Sequence, residues 1–179
     1  AGIFFLGYFL FEVPSNIILH KVGARIWIAR VMVTWGLIAA GMAFVESSTS
    51  FYVMRFLLGV AEAGFFPGII LYLTYWFPAR HRAGVIALFM AAAPIATAVG
   101  SPISAALLEM HGIWGLAGWQ WMFIIEAIPA IILGVVVFKY MTDRPEQATW
   151  LGQDEREWLV KTMKEEDVGK NAPEHHSIQ

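Results

Sequence analysis

An arginine and a glutamate lie inside one long apolar segment, residues 51–77. The segment is long enough to cross a bilayer, and an ionisable residue in such a span is costly and usually lines a polar pathway. Arg55 and Glu62 are seven residues apart, so in a helix they point the same way, with about 10 Å of helix axis between them. This is too far for a direct ion pair, so a neighbouring helix, water or a solute must compensate each charge. An acid and a base on one face of a membrane helix indicate the handling of charged solutes or protons.

Each of these two residues also has a structural interpretation. Glu62 lies near the middle of its span, where a carboxyl group cannot reach the surface. It could exchange a proton, or it could stay protonated and hydrogen-bonded to a neighbouring helix. Arg55 lies close to the outer end of its helix, where an arginine can extend to the membrane surface, although its planar fork also binds carboxylates. The face that the two residues share favours a functional role for both.

A second candidate pair lies in the first apolar segment. Tyr8 and Glu12 are four residues apart and stack on one helical face. Tyr8 would supply a hydroxyl group to a solute and Glu12 a second acid, with a structural hydrogen bond as the alternative for Glu12. Glu126 is a third acid within a span, but no same-face partner is evident, so we leave it outside the predicted site.

The composition is that of a membrane protein, since 58% of the residues are hydrophobic and 15% are charged. Charges are sparse up to residue 140 and dense from residue 143, which predicts a transmembrane region (1–140) and a soluble tail (141–179). The net charge of −2 argues against a nucleic-acid partner, and the absence of cysteine excludes thiolate catalysis and Cys-based metal sites. Hydrolase, zinc-protease and phosphate-loop motifs are absent, and the histidines lack metal-ligand spacing, so we expect no enzyme and no metal.

Five apolar runs are each close to the roughly 20 residues that a membrane span needs. We predict five helices, because lipid offers no hydrogen-bond partner to the backbone. Their predicted bounds are residues 1–19, 26–45, 51–77, 84–107 and 120–140. In the tail, residues 154–166 are predicted to form a short charged helix and residues 170–179 to be disordered.

Lysine and arginine concentrate on alternate connections. Residues 21–30, residues 79–83 and the exit after the fifth run carry them, whereas residues 46–50 and 108–119 carry none. The positive-inside rule therefore places the basic connections and the tail in the cytoplasm. The first run then enters from outside, so we expect at least one further helix upstream, in a longer protein.

Three parts of the chain resemble the major facilitator superfamily, and most of all its anion:cation symporter branch. Residues 55–68 (RFLLGVAEAGFFPG) resemble the fourth helix of that family. Residues 7–16 (GYFLFEVPSN) and 22–25 (VGAR) resemble its second helix and the following loop, and the order DRPE then WL in residues 143–151 resembles the start of its central loop. The resemblance implies an all-α transporter, with helices two to six of twelve and part of the central loop present here.

The same resemblance implies roles for the candidate residues. Members of the branch carry organic anions, often with protons, and the similarity is to bacterial permeases for tartrate, 4-hydroxyphenylacetate, phthalate and sugar acids. By this resemblance, Arg55 helps to hold the anion and Glu62 is linked to proton coupling. Tyr8 would contact the substrate, and Glu12 stands where several sugar-acid relatives have glutamine, so we assign both to the substrate site.

The loop after the first run departs from the family pattern, which usually reads Gly-x-Leu-Ala-Asp-Arg/Lys-x-Gly. Asn16 occupies the first Gly position and His20 the Asp position, whereas Lys21, Gly23 and Arg25 are retained. The usual carboxylate of this cytoplasmic gate is therefore missing. We assign the gate loop to His20, Lys21, Gly23 and Arg25.

Together these features predict a secondary active transporter, with proton-coupled symport of a small organic anion across the inner (cytoplasmic) membrane. The expected partners are the anion, protons, the lipid bilayer and a C-terminal half missing from this chain, with no cofactor and no nucleic acid. An exchanger or a carrier of a neutral or cationic solute with the same fold is the first alternative. A non-transporting membrane protein is the second.

Overall fold

The computed structural model describes residues 2–171, which form seven α-helices and no β-strand. The helices are α1 (Gly2–Val22), α2 (Ala24–Gly41), α3 (Ser48–Glu62), α4 (Phe65–Trp76), α5 (Ala79–Leu108), α6 (Gly118–Tyr140) and α7 (Gln153–Asn171). Five segments are long and apolar enough to cross a membrane: α1, α2 with the short 3-10 turn that follows it, α3 together with α4, α5, and α6. The chain is therefore an all-α membrane protein in which five spans precede a charged tail.

The third span is not the continuous helix predicted for residues 51–77. α3 ends at Glu62, Gly64 adopts a left-handed conformation (φ 85°, ψ 2°), and α4 begins at Phe65. Pro67 explains part of this break, because it has no N–H to donate to the carbonyl of Ala63 four residues earlier. The span therefore consists of two shorter helices joined immediately after Glu62.

A buried serine satisfies the carbonyl that the break releases. The Ser15 hydroxyl of α1 donates to the Ala63 carbonyl at 2.6 Å, and its Oγ accepts the indole N–H of Trp27, from α2, at 3.0 Å. A Cβ added at Gly64 would overlap the Ser15 side chain, and glycine also adopts the positive φ at no steric cost. Ser15 thus joins α1, α2 and the break in the third span.

Two helix pairs, α1 with α3 and α2 with α6, carry most of the packing between spans. Where α1 meets α3, Gly59 lies against the backbone of Phe4 and Tyr8, and Gly7 lies against Phe56. Glycines also stand at the contact of α2 with α6, as is common where membrane helices approach closely. By contrast, none of the residues of α5 is buried.

The connections that carry lysine and arginine are shorter than the sequence predicts. Gly23 alone separates α1 from α2, and α5 begins at Ala79 rather than at residue 84. Arg25 and Arg82, which the hydropathy pattern places in loops, therefore lie in the first turns of α2 and α5. Helix bounds that are read from hydropathy end at the first charged residues, whereas the helix itself can continue through a charged turn.

The tail helix is longer than predicted, since α7 runs from Gln153 to Asn171 rather than over residues 154–166. The predicted disordered segment, residues 170–179, begins inside this helix, so that prediction is wrong for its first two residues. The remainder, residues 172–179, lies outside the described residues.

Candidate functional site

The first turn of α3 sets the position of both predicted charges. Ser47 Oγ accepts the N–H of Ser50 at 3.1 Å, and Ser50 Oγ accepts the N–H of Ser47 at 3.1 Å. This reciprocal cap satisfies two backbone groups that a helix start leaves free. Arg55 then lies about two turns into α3, and Glu62 is its last residue. Both side chains are half-buried.

The face shared by Arg55 and Glu62 borders the contact of α3 with α1. Gly59 lies between them in sequence and on nearly the same side of the helix. A Cβ at Gly59 would stand 3.0 Å from the backbone nitrogen of Tyr8, so the two helices are in close contact there. The predicted acid and base therefore flank the closest approach of α3 to α1.

Tyr8 connects the two predicted pairs. Its backbone lies against Gly59, which precedes Glu62 by three residues on α3. Tyr8 and Glu12 are half-buried and lie one turn apart on α1. One phenol and two carboxyl groups thus lie on the two helices that meet at this contact. Groups of these types can hydrogen-bond the hydroxyl groups of a solute and can exchange protons.

Arg55 makes no side-chain hydrogen bond or ion pair with residues 2–166, the part of the chain whose side chains are described. Its Nε is buried without a hydrogen-bond partner, and its guanidinium carbon lies 5.3 Å from the centre of the Phe51 ring. A guanidinium is always charged, and its planar fork matches the two oxygens of a carboxylate. Arg55 is therefore available to bind a carboxylate ligand.

The four residues predicted as a gate loop do not form a loop. His20 and Lys21 belong to the last turn of α1 and are exposed, Gly23 (φ 95°) is the whole connection, and Arg25 lies in the first turn of α2. The reversal between two long helices is therefore made at one residue. Its positive φ is a conformation that favours glycine.

A carboxylate from the far end of the chain reaches this connection. Asp143, three residues after α6, accepts the backbone N–H of Arg25 at 2.7 Å, and its second oxygen lies 3.9 Å from Arg25 Nε. A Cβ at Gly23 would stand only 3.1 Å from the same carboxylate. A negative group at a helix start stabilises the free N–H groups there. Asp143 therefore places a carboxylate beside the connection, whereas His20, at the position where the family pattern has Asp, cannot supply one.

A second carboxylate from the tail binds the start of α5. Glu166 of α7 accepts the backbone N–H of Ala79 at 2.7 Å and lies 3.3 Å from the guanidinium of Arg82. Arg82 also donates to the carbonyl of Phe77 at 3.0 Å. Neither tail carboxylate can be recognised as a contact from sequence, because 118 residues separate Arg25 from Asp143 and 87 separate Ala79 from Glu166.

Glu126, which lies outside the predicted site, is hydrogen-bonded to Ser104. The bond joins α6 to α5, whereas Arg55 and Glu62 lie on α3. An acid within a span can therefore serve helix packing here, since a hydrogen bond between membrane helices adds to their association.

Comparisons with known proteins agree with this architecture. The profile of the Major Facilitator Superfamily matches residues 1–171. A protein from Agrobacterium vitis with the provisional name of tartrate transporter is 73% identical over 175 residues, which are 98% of this chain and 40% of that protein. The inner membrane transport protein RhmT of Escherichia coli is 45% identical over 95% of this chain and 40% of its own length. A quinolone resistance transporter from Acinetobacter baumannii is 45% identical over 100% of this chain and 42% of its own length.

The chain thus spans about 40% of the length of these relatives. The family match covers nearly all of the chain, including all five spans. The chain therefore belongs to the major facilitator superfamily of membrane transporters.

Proposed function

We propose that this protein is a secondary active transporter that carries a small carboxylate together with protons. The observation that carries the proposal is the half-buried guanidinium of Arg55, which has no hydrogen-bond or ion-pair partner among residues 2–166 and lies on the same helix as Glu62. An unpaired cation within a span is costly unless a ligand or water compensates it. The 73% identity to a protein named for tartrate transport supports an anionic ligand.

In this proposal the substrate lies between the two halves of the full-length protein, against the side of α1 and α3 that carries these residues. Arg55 binds a carboxylate of the substrate through two parallel N–H···O hydrogen bonds. Tyr8 and Glu12 bind the polar remainder of the substrate, such as the hydroxyl groups of a hydroxy acid. An ionised Glu12 would repel a carboxylate, so it faces the hydroxyl end of the substrate and accepts hydrogen bonds there.

Glu62 couples the proton to the anion. It takes up a proton from outside and releases it inside. Protonation removes a negative charge near Arg55 and so lowers the repulsion that an incoming anion meets. Proton binding and anion binding then favour each other, as linkage requires. Rocking of two halves around the site would expose it to each side in turn.

The basic end of the bundle, with Lys21, Arg25 and Arg82, faces the cytoplasm in this proposal, as does the tail. The protein is then a multi-pass protein of the inner membrane. His20, Lys21, Gly23 and Arg25 lie at that end, and they would change contacts when the inner side of the site opens.

The test is uptake of labelled tartrate by the full-length protein in liposomes. With an alkaline interior, the wild type should accumulate tartrate above its external concentration, and Arg55→Gln should lose this accumulation. Arg156→Gln is the matched control, because it removes an arginine from α7, outside the spans. Unchanged accumulation by Arg55→Gln would refute the role of Arg55. Counterflow in the absence of a proton gradient, without accumulation when one is imposed, would indicate an exchanger instead.

A further inference from the structure

A cavity of about 340 Å³ lies at the basic end of the spans, well away from Arg55 and Glu62. It is bounded by the last turn of α4, the first turn of α5, the turn that follows α6, and α7. Its charged lining consists of three cations and one carboxylate, namely Arg82, Arg144, Lys164 and Glu146. The cavity therefore combines residues of the membrane helices with residues of the tail.

Two of the three cations have no acidic partner among residues 2–166, whose side chains the structure describes. Arg82 is paired with Glu166 at 3.3 Å. The guanidinium carbon of Arg144 instead lies 4.0 Å from the centre of the Tyr75 ring, which orients the group by a cation–π contact. Lys164, on α7, forms no ion pair in this part of the chain. Arg144 and Lys164 are thus the cations available to a ligand.

The cavity lies near the ends of three spans. Its lining includes residues within four positions of the end of α4 at Trp76, the start of α5 at Ala79 and the end of α6 at Tyr140. The Trp76 ring stacks on Trp150 of the tail, with 5.7 Å between ring centres. Aromatic rings are enriched at the membrane–water interface, where the phosphate groups of lipids lie.

We propose that this cavity is a binding site for a phosphate-type anion, with Arg144 and Lys164 as its principal ligands. The planar fork of Arg144 suits two phosphate oxygens, and Lys164 supplies a point charge from α7. The anion is either the headgroup of an anionic phospholipid in the adjacent leaflet or free phosphate. In both cases it bridges the membrane helices to the tail, independently of the transported solute.

The experiment uses the full-length protein in phosphatidylcholine nanodiscs, with the unfolding temperature as readout. Phosphatidylglycerol is titrated into the discs in one arm, and inorganic phosphate is added to the buffer in the other. Arg144→Gln and Lys164→Gln should each weaken the apparent affinity for the anion about fivefold. Lys161→Gln should not, because Lys161 is 78% exposed and paired with Glu165 on the same helix.

Stabilisation by phosphatidylglycerol alone would identify a lipid site, and stabilisation by inorganic phosphate in phosphatidylcholine discs would identify a site for the free anion. Native mass spectrometry, which counts the phosphatidylglycerol molecules retained by each protein, gives a readout that does not depend on the stability of the variants. The proposal is overturned if neither anion binds, or if Arg144→Gln and Lys164→Gln retain the wild-type response.

Discussion

Replacing Glu62 by glutamine tests whether proton binding and anion binding are linked. Arg55 and Glu62 are separated by about 10 Å of helix axis. At that distance, two unit charges interact by about 1.7 kcal/mol for an effective dielectric constant near 20. An anion held by Arg55 would meet this repulsion from an ionised Glu62. Removing the charge should therefore tighten anion binding roughly 15-fold at a pH where Glu62 is ionised.

The measurement is calorimetric titration of tartrate into the purified full-length protein at a series of pH values. Wild-type affinity should fall as pH rises, because Glu62 loses its proton, whereas Glu62→Gln should keep the tight affinity throughout. Glu126→Gln is the matched control, since it removes another carboxyl group from a span, on α6. If the affinity of Glu62→Gln fell with pH as steeply as that of the wild type, the linkage would be wrong.

Three further predictions concern stability and are measured by thermal unfolding of the purified full-length protein. Ser15→Ala should lower the free energy of unfolding by about 2–4 kcal/mol, because a backbone carbonyl and an indole N–H lose their partner; wild-type stability would mean that water replaces the hydroxyl. Gly23→Ala should lower it by about 1–2 kcal/mol, since φ is 95° and the new methyl group would meet the Asp143 carboxylate; no change would mean that the connection relaxes. Gly84→Ala should instead raise it by up to about 1 kcal/mol, because the position is helical with nothing within 4 Å of the added carbon; a loss would reveal a packed partner there.

The fold class and the family could be predicted from sequence, and both are confirmed. Five apolar runs of sufficient length predict five helices, because the backbone of a membrane span must satisfy its own hydrogen bonds. The placement of Arg55 and Glu62 on one helix also followed from their spacing within one run. Their roles, and those of Tyr8 and Glu12, remain predictions, because they depend on a ligand.

The end of α3 immediately after Glu62 could not be predicted from its own segment alone, although Gly64 and Pro67 lie in that segment. Glycine and proline occur within many membrane helices without ending them, and α1, α5 and α6 each continue past an internal proline. The break in the third span depends on Ser15, which comes from another helix and lies 48 residues before Ala63. The contacts of Asp143 and Glu166 with helix starts escape prediction for the same reason, since they join residues far apart in sequence.

The joint at Gly64 makes the third span two linked helices rather than one continuous helix. At the end of α3 the Ala63 N–H is bonded to the Gly59 carbonyl, and at the start of α4 the Gly68 N–H is bonded to the Gly64 carbonyl, so a change in the torsion angles of Gly64 could reorient α4 while both of these bonds are kept. Arg55 and Glu62 both lie on α3, and Tyr75, which lines the cavity at the basic end of the spans, lies on α4. A rotation at Gly64 would therefore move α4 while Arg55 and Glu62 keep their spacing on α3.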